Sequence, residues 1–137
     1  MPYHYFDHDA DIGIVGVGHT FPEAFCEAAR AMFAVMVELE TVRPAQVVSI
    51  RCQAVSPDEL LVEWLNTLLV ESGRRHLCFC DAVIYEWRET ELRGEARGES
   101  WDMSRHRAKS EVKAATYCML ETVQQGDEYR CQCVIDI

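Results

Sequence analysis

Basic residues are scarce in this chain: 13 Lys and Arg stand against 23 Asp and Glu, a formal net charge of −10. Direct nucleic-acid binding works by neutralising phosphates with Lys and Arg, and an acidic surface of this size opposes it. Any work near RNA would run through a protein partner or a cation; the plainer alternative is that the acidity only confers solubility. Long apolar runs are also missing. None approaches the roughly 20 residues that a bilayer-spanning helix needs. The opening Met1-Pro2-Tyr3-His4-Tyr5-Phe6-Asp7 has no basic region followed by an apolar stretch, so no secretory signal is expected and the cytoplasm is the expected location. Three families of catalytic motif are absent too. There is no G-x-x-x-x-G-K-[ST] phosphate loop, Gly13, Gly16 and Gly18 do not form G-x-G-x-x-G ahead of a helix, and there is no nucleophile elbow.

What remains is a chain of 137 residues, 49% apolar, which fits a single domain over residues 1–137 with one core. Its cysteines are odd in number, 7: Cys26, Cys52, Cys78, Cys80, Cys118, Cys131 and Cys133. Without a secretory signal, reduced thiols are the natural reading. The pairs Cys78/Cys80 and Cys131/Cys133 invite a zinc interpretation. A spacing of two, however, puts both side chains on one face of a strand, whereas zinc knuckles use Cys-x2-Cys in a tight turn. Buried structural cysteines are therefore expected.

Two helices stand out. Thr20-Phe21-Pro22-Glu23 is a capping box, in which the Thr hydroxyl and the Glu can satisfy free N–H groups at a helix start. Behind it Phe21, Ala24, Phe25, Ala28, Ala29, Met32, Phe33 and Met36 recur at helical spacing. Ser56-Pro57-Asp58-Glu59 is a second capping box, with Pro at the first helical position. Leu60, Leu61, Trp64, Leu65, Leu68 and Leu69 form its stripe, and Gly73 is the expected stop. The helices are predicted near residues 20–39 and 57–72. The remainder reads as about six strands. Val48, Ile50, Cys52 and Ala54 alternate with polar neighbours. Phe79–Trp87 and Leu92–Gly98 form one hairpin, turning near Arg88-Glu89-Thr90. Val112–Thr122 and Glu128–Ile137 form another, turning at Gln125-Gly126-Asp127. The predicted fold class is α+β: two helices packed on one face of a mostly antiparallel sheet, a two-layer sandwich.

Three patches could carry chemistry. The first is the opening His4, Asp7, His8, Asp9 and Asp11, followed by Ile12-Gly13-Ile14. Asp is disfavoured in strands, so this is either a solvated turn or part of a cation site, which needs several oxygens converging on one point. The second is the end of the sequence, Val134-Ile135-Asp136-Ile137, which stops inside a strand pattern. The Asp136 carboxylate and the terminal carboxylate of Ile137 then lie close together and repel unless a cation intervenes; an exposed strand end is the alternative. The third is Arg97-Gly98-Glu99-Ser100-Trp101-Asp102-Met103-Ser104-Arg105-His106, which reads as a surface loop with solvated charge. Lys113 reads as an outward-facing strand lysine or a partner contact.

Six segments in this order resemble the archease family: His8-Asp9-Ala10-Asp11-Ile12-Gly13-Ile14; Ala24 to Phe33; Leu60 to Asn66; Gly98-Glu99 with Asp102 and Arg105-His106; Val112 to Tyr117; and Val134-Ile135-Asp136-Ile137. Each is weak alone, but together they span nearly the whole chain. The resemblance implies an accessory protein of the RtcB-type RNA ligase, which joins RNA ends in tRNA splicing and RNA repair using GTP and a divalent metal. It implies promotion of ligase guanylylation and multiple turnover, no catalysis by the chain itself, and a bound divalent cation, calcium in the family, with manganese or magnesium as alternatives. The metal ligands it implies are Asp11, Asp136 and Ile137. Two positions depart from the family pattern. Asp9 stands where the family usually has Thr, and Cys118 stands where a His is common. Two other readings compete: a stand-alone metal-dependent hydrolase using Asp11, Asp136 and His106, and a generic interaction module.

Overall fold

In the computed structural model, which describes residues 2–137, both capping boxes open helices. The Thr20 hydroxyl accepts from the Glu23 N–H at 3.1 Å, and helix α1 runs Phe21–Met36. The Ser56 hydroxyl accepts from the Glu59 N–H at 3.3 Å, and helix α2 runs Pro57–Arg75. Each hydroxyl satisfies a donor that the first helical turn leaves without a partner.

The ends differ from the sequence prediction. α1 stops at Met36, and Leu39–Thr41 is a separate 3-10 turn. α2 passes through Gly73 and ends with His76 in the left-handed region at φ 55, its N–H bonded to the Ser72 carbonyl. Gly73 is exposed and has open space around it, so nothing forces the chain to turn there. Arg74 and Arg75 both pair with Glu71 on the helix surface, which favours one more turn.

Eight strands follow the expected antiparallel logic but fall into two sheets rather than one. They are β1 Tyr3–His8, β2 Asp11–Gly18, β3 Gln46–Gln53, β4 Leu77–Arg88, β5 Glu91–Ser100, β6 Ala114–Ala115, β7 Glu121–Gln125 and β8 Glu128–Asp136. The first sheet has the order β1-β2-β8-β6, with β7 also pairing with β8; the second has the order β3-β5-β4. The β4–β5 hairpin turns as expected. The second expected hairpin is broken: residues 116–120 interrupt it, so β6 and β7 each pair separately with β8. Thr116 holds the break, its hydroxyl donating to the Val134 carbonyl at 2.8 Å and accepting from the Cys118 N–H at 3.2 Å.

Both helices contact strands of both sheets and share one core. α1 lies so close on β2 that a Cβ at Gly16 would overlap the Ala24 carbonyl oxygen. Glycine at that position is what lets the helix backbone reach the sheet. Trp64 is fully buried in α2, and its indole N–H donates to the Phe25 carbonyl at 3.0 Å, tying the two helices together. All seven cysteines are unpaired. Five are buried, as expected of small apolar residues; Cys80 is half-buried and Cys118 is exposed.

Candidate functional site: the acidic rim of the first sheet

The β1–β2 hairpin turns through Asp9 and Ala10 and pairs His8 with Asp11. Asp9 takes a left-handed conformation, φ 52, which a short polar side chain tolerates better than most. β2 and β8 pair Ile12 with Ile135; one step further in that register sets Asp11 opposite Asp136. Directly opposed residues project from the same face of a sheet. His8, Asp11 and Asp136 therefore share the face that carries Val15 and Val134, while Ile14 and Ile135 face the helices. The Ile137 N–H donates to Asp11 Oδ1 at 3.4 Å, so the last residue folds back toward the start of β2. Asp11, Asp136 and Ile137 thus lie at one rim, each half-exposed.

These groups are all oxygen donors, which suits a hard cation such as calcium, magnesium or manganese better than zinc. Among the described residues no three His, Cys, Asp or Glu side chains cluster tightly enough to hold a metal by themselves. A cation at this rim would therefore need further oxygens beside the Asp11 and Asp136 carboxylates, such as the Ile137 carboxylate, backbone carbonyls or water. The residues present fit such an ion only on that condition.

The neighbouring His8 has no role assigned by sequence pattern. The Cys118 Sγ lies 3.3 Å from its Nε2, and its Nδ1 is buried without a hydrogen-bond partner. Cys118 thus lies beside the rim, against His8.

The segment Arg97–His106 departs from its reading as a solvated loop. Glu99 is only 9% exposed and His106 only 4%. The Glu99 carboxylate accepts two bonds from the Arg105 guanidinium at 2.8 Å each, one from the Arg43 N–H at 2.8 Å and one from His106 Nε2 at 2.9 Å. His106 Nδ1 accepts from the Asp102 N–H at 2.9 Å, so the ring proton sits on Nε2 and points at Glu99. Hydrogen bonds from Arg105, then from Arg43 and His106, hold the Glu99 carboxyl well below the usual carboxylate range. The Cys78 Sγ lies 3.5 Å from His106 Nδ1. A Cys-His-Glu series suggests a nucleophile with its base and orienting group. Burial, and next the Glu99 charge, push the Cys78 thiol up to about 11, and the residue is 2% exposed. This thiol stays protonated and closed to substrate; the cluster anchors the loop that leads to β6. Its three polar side chains come from β5 and that loop, and it also holds the backbone of Arg43, just past the 3-10 turn.

The linkage sign follows from the depressed carboxyl of Glu99. Its stabilising effect is full above its ordinary value near 4.5 and is lost as pH falls toward the folded-state value. Acid unfolding followed by circular dichroism should show the wild type losing stability below about pH 4.5. Glu99→Gln should be less stable at neutral pH and should show a shallower loss in acid. Parallel pH profiles for the two proteins would contradict this assignment.

The hydrolase reading requires Asp11, Asp136 and His106 to act together. The structure does not bring them together: His106 is committed to Glu99, Asp102 and Cys78, while Asp11 sits with Ile137 at the rim. Lys113 is exposed, as expected, and its N–H donates to the Asp136 carbonyl at 2.8 Å.

Two helices laid across antiparallel sheets, with an acidic rim where the β1–β2 turn meets the end of β8, define a small α+β domain. The chain belongs to the archease family: the model of the archease protein family matches residues 3–137. It is 32% identical over 136 residues to the protein archease of Sulfurisphaera tokodaii, covering 98% of each chain. Its fold is similar to the solution structure of protein 1598 of Methanobacterium thermoautotrophicum, with TM-score 0.76, 28% identity and 99% of each chain covered. It also shares the fold of a Thermotoga maritima crystal structure described as an archease and possible chaperone, with TM-score 0.65, 19% identity, and 96% of this chain and 94% of that one covered.

Proposed function

We propose that this chain is a metal-binding accessory protein that activates an RtcB-type RNA ligase in tRNA splicing and RNA repair, promoting ligase guanylylation and multiple turnover in the cytoplasm. The observation that carries this reading is the contact between the Ile137 N–H and Asp11, with Asp136 opposite Asp11 in the strand register. In support of it, the three residues that family resemblance nominates as metal ligands lie on neighbouring, half-exposed strand ends. When bound, a divalent cation such as calcium would offset the mutual repulsion of these carboxylates. Asp11 would then fix the final residues of β8 against the β1–β2 turn. Asp136 would couple that rim, through its carbonyl, to Lys113 and the loop behind it. The result would be an ordered acidic surface for a protein partner. The possible chaperone role given to the Thermotoga protein is the coarser form of the same reading.

The discriminating experiment is an RNA-joining assay in which the ligase limits the rate. A strong gain in turnover is expected when the purified protein is added, with no joining or hydrolysis by the protein alone. RNA hydrolysis by the protein alone, or no gain with ligase, would refute the proposed role.

A further inference from the structure

A second surface lies behind the rim. The C-terminal half of α2 and residues 108–114 form the walls of an open groove of about 830 Å³. Its apolar surface comes from Met36, Leu69, Val70 and Trp101, with Val70 62% exposed although it lies on a helix. The second wall is pinned along its length. The Lys109 N–H donates to the Met36 carbonyl at 2.8 Å, and the Ser110 N–H donates to the Val35 carbonyl at 3.0 Å. Asn66 on α2 exchanges hydrogen bonds with both backbone groups of Ala115, at 2.8 and 3.1 Å. The groove is thus held open by the fold and needs no rearrangement to admit a ligand.

Its charge is opposite to that of the molecule. Lys109 and Lys113 line it against a single acid, Glu111, so two cations less one anion leave a net +1 in a chain of net −10. The Lys113 ammonium forms no ion pair among the described residues. The Lys109 ammonium is exposed and reaches only the Ala34 carbonyl, at 2.7 Å. Everywhere else the acidic surface favours basic partners at long range; at this groove the preference reverses. Two lysines are too few for the phosphate contacts that dominate nucleic-acid affinity, and the apolar wall would be wasted on a phosphate backbone.

We propose that this groove is a docking site for an acidic peptide segment of a partner protein, its apolar side chains seated on Val70, Leu69 and Trp101 and its carboxylates meeting Lys113 and Lys109. Lys113 is bonded through its N–H to the Asp136 carbonyl, so the groove adjoins the acidic rim without sharing its carboxylates. Docking here does not depend on the identity of the ligase partner.

The test uses the full chain and a short fluorescent peptide of alternating leucine and aspartate, with a leucine–lysine peptide of equal length as control. Fluorescence polarisation should show saturable binding of the acidic peptide at the groove, whereas any binding of the basic peptide should fall on the acidic surface elsewhere and weaken with salt. The surface variants Val70→Asp and Lys113→Glu should each weaken that binding about tenfold or more, as expected for central contacts, with unchanged circular dichroism. Amide shifts in the two-dimensional NMR spectrum should cluster at Leu69, Trp101 and Val112. Four outcomes would overturn the proposal. One is no saturable binding of the acidic peptide. Another is binding indifferent to both variants. A third is a single-stranded oligonucleotide competing at the groove. The fourth is a concentration-dependent dimer that Val70→Asp dissociates, which would make a second copy of this chain the occupant.

Discussion

On the proposed function, Asp11→Ala should weaken calcium binding and, with it, activation of the ligase, while leaving the fold intact. The reason is geometric. The Asp11 side chain links the start of β2 to the residue that follows β8, through the 3.4 Å contact with the Ile137 N–H. Removing its carboxylate takes away one anion of the proposed site, where among the described residues no trio of acidic, thiol or imidazole side chains clusters to hold an ion. Stability should change little, because the lost contact is long and half-exposed; a loss below about 1 kcal/mol is expected. Adding residues after Ile137 should have the same consequence by a different route, since it removes the terminal carboxylate and keeps both aspartates. Isothermal titration with calcium and with manganese reads the binding, and thermal denaturation reads the fold. Retention of wild-type affinity in both variants would show that the rim does not hold the ion.

The second large effect concerns the core. Trp64→Ala should destabilise the domain by about 3–5 kcal/mol, the usual cost of removing a buried aromatic ring. Trp64 has no exposed surface, and its indole N–H satisfies the Phe25 carbonyl at 3.0 Å. Truncation therefore opens a cavity between the two helices and removes the indole hydrogen bond that ties them. Trp64→Phe separates the two effects: it keeps most of the ring volume and loses the bond, at about 1–3 kcal/mol. Urea unfolding followed by circular dichroism measures both. Equal losses for the two variants would mean that the hydrogen bond carries the whole effect and the cavity none.

Local chemistry makes the helices legible in the sequence. Thr20 and Ser56 each place a hydroxyl three residues before a glutamate, and in both cases that hydroxyl caps the helix. The stripes behind them are the buried faces: Ala24, Phe25, Ala28, Ala29, Met32 and Phe33 on α1, and Leu60, Leu61, Trp64, Leu65 and Leu68 on α2. The β4–β5 hairpin is legible for a similar reason, because a polar turn separates two runs of alternating residues. Strand β1 is not. Tyr3 to His8 is polar and lies at a sheet edge, so only its pairing with β2 makes it a strand. The division into two sheets is equally hidden, since it rests on pairings such as Gln46 with Gly98 and Ile12 with Ile135 that no local window contains.

The site is legible unevenly. Anionic crowding at Asp136 and Ile137 raises the question of a cation from charge alone, and family resemblance adds Asp11. Register then supplies what neither can, the placement of Asp11 against the chain end. The buried Glu99, Arg105 and His106 cluster runs against expectation. A run of charged residues reads as solvated, and in this case bidentate pairing by Arg105 and the tautomer fixed on His106 let a carboxylate go into the interior. Segment order does carry one hint: Glu99, Arg105 and His106 lie within one strand end and the loop that follows it. Nothing in the sequence alone says that the 3-10 turn near Thr41 closes over them.

The proposed activation of a ligase by this protein would appear as a change in the ligase's covalent state. The measurement is the transfer of labelled guanylate from GTP to the ligase, with the ligase in excess over this protein, comparing wild type with Asp11→Ala. Faster and more complete ligase labelling with wild type, absent with the variant and never appearing on this chain itself, is the expected result. Label transfer that is unchanged by wild-type protein, or equally stimulated by Asp11→Ala, would contradict the claim that the acidic rim activates an RNA ligase.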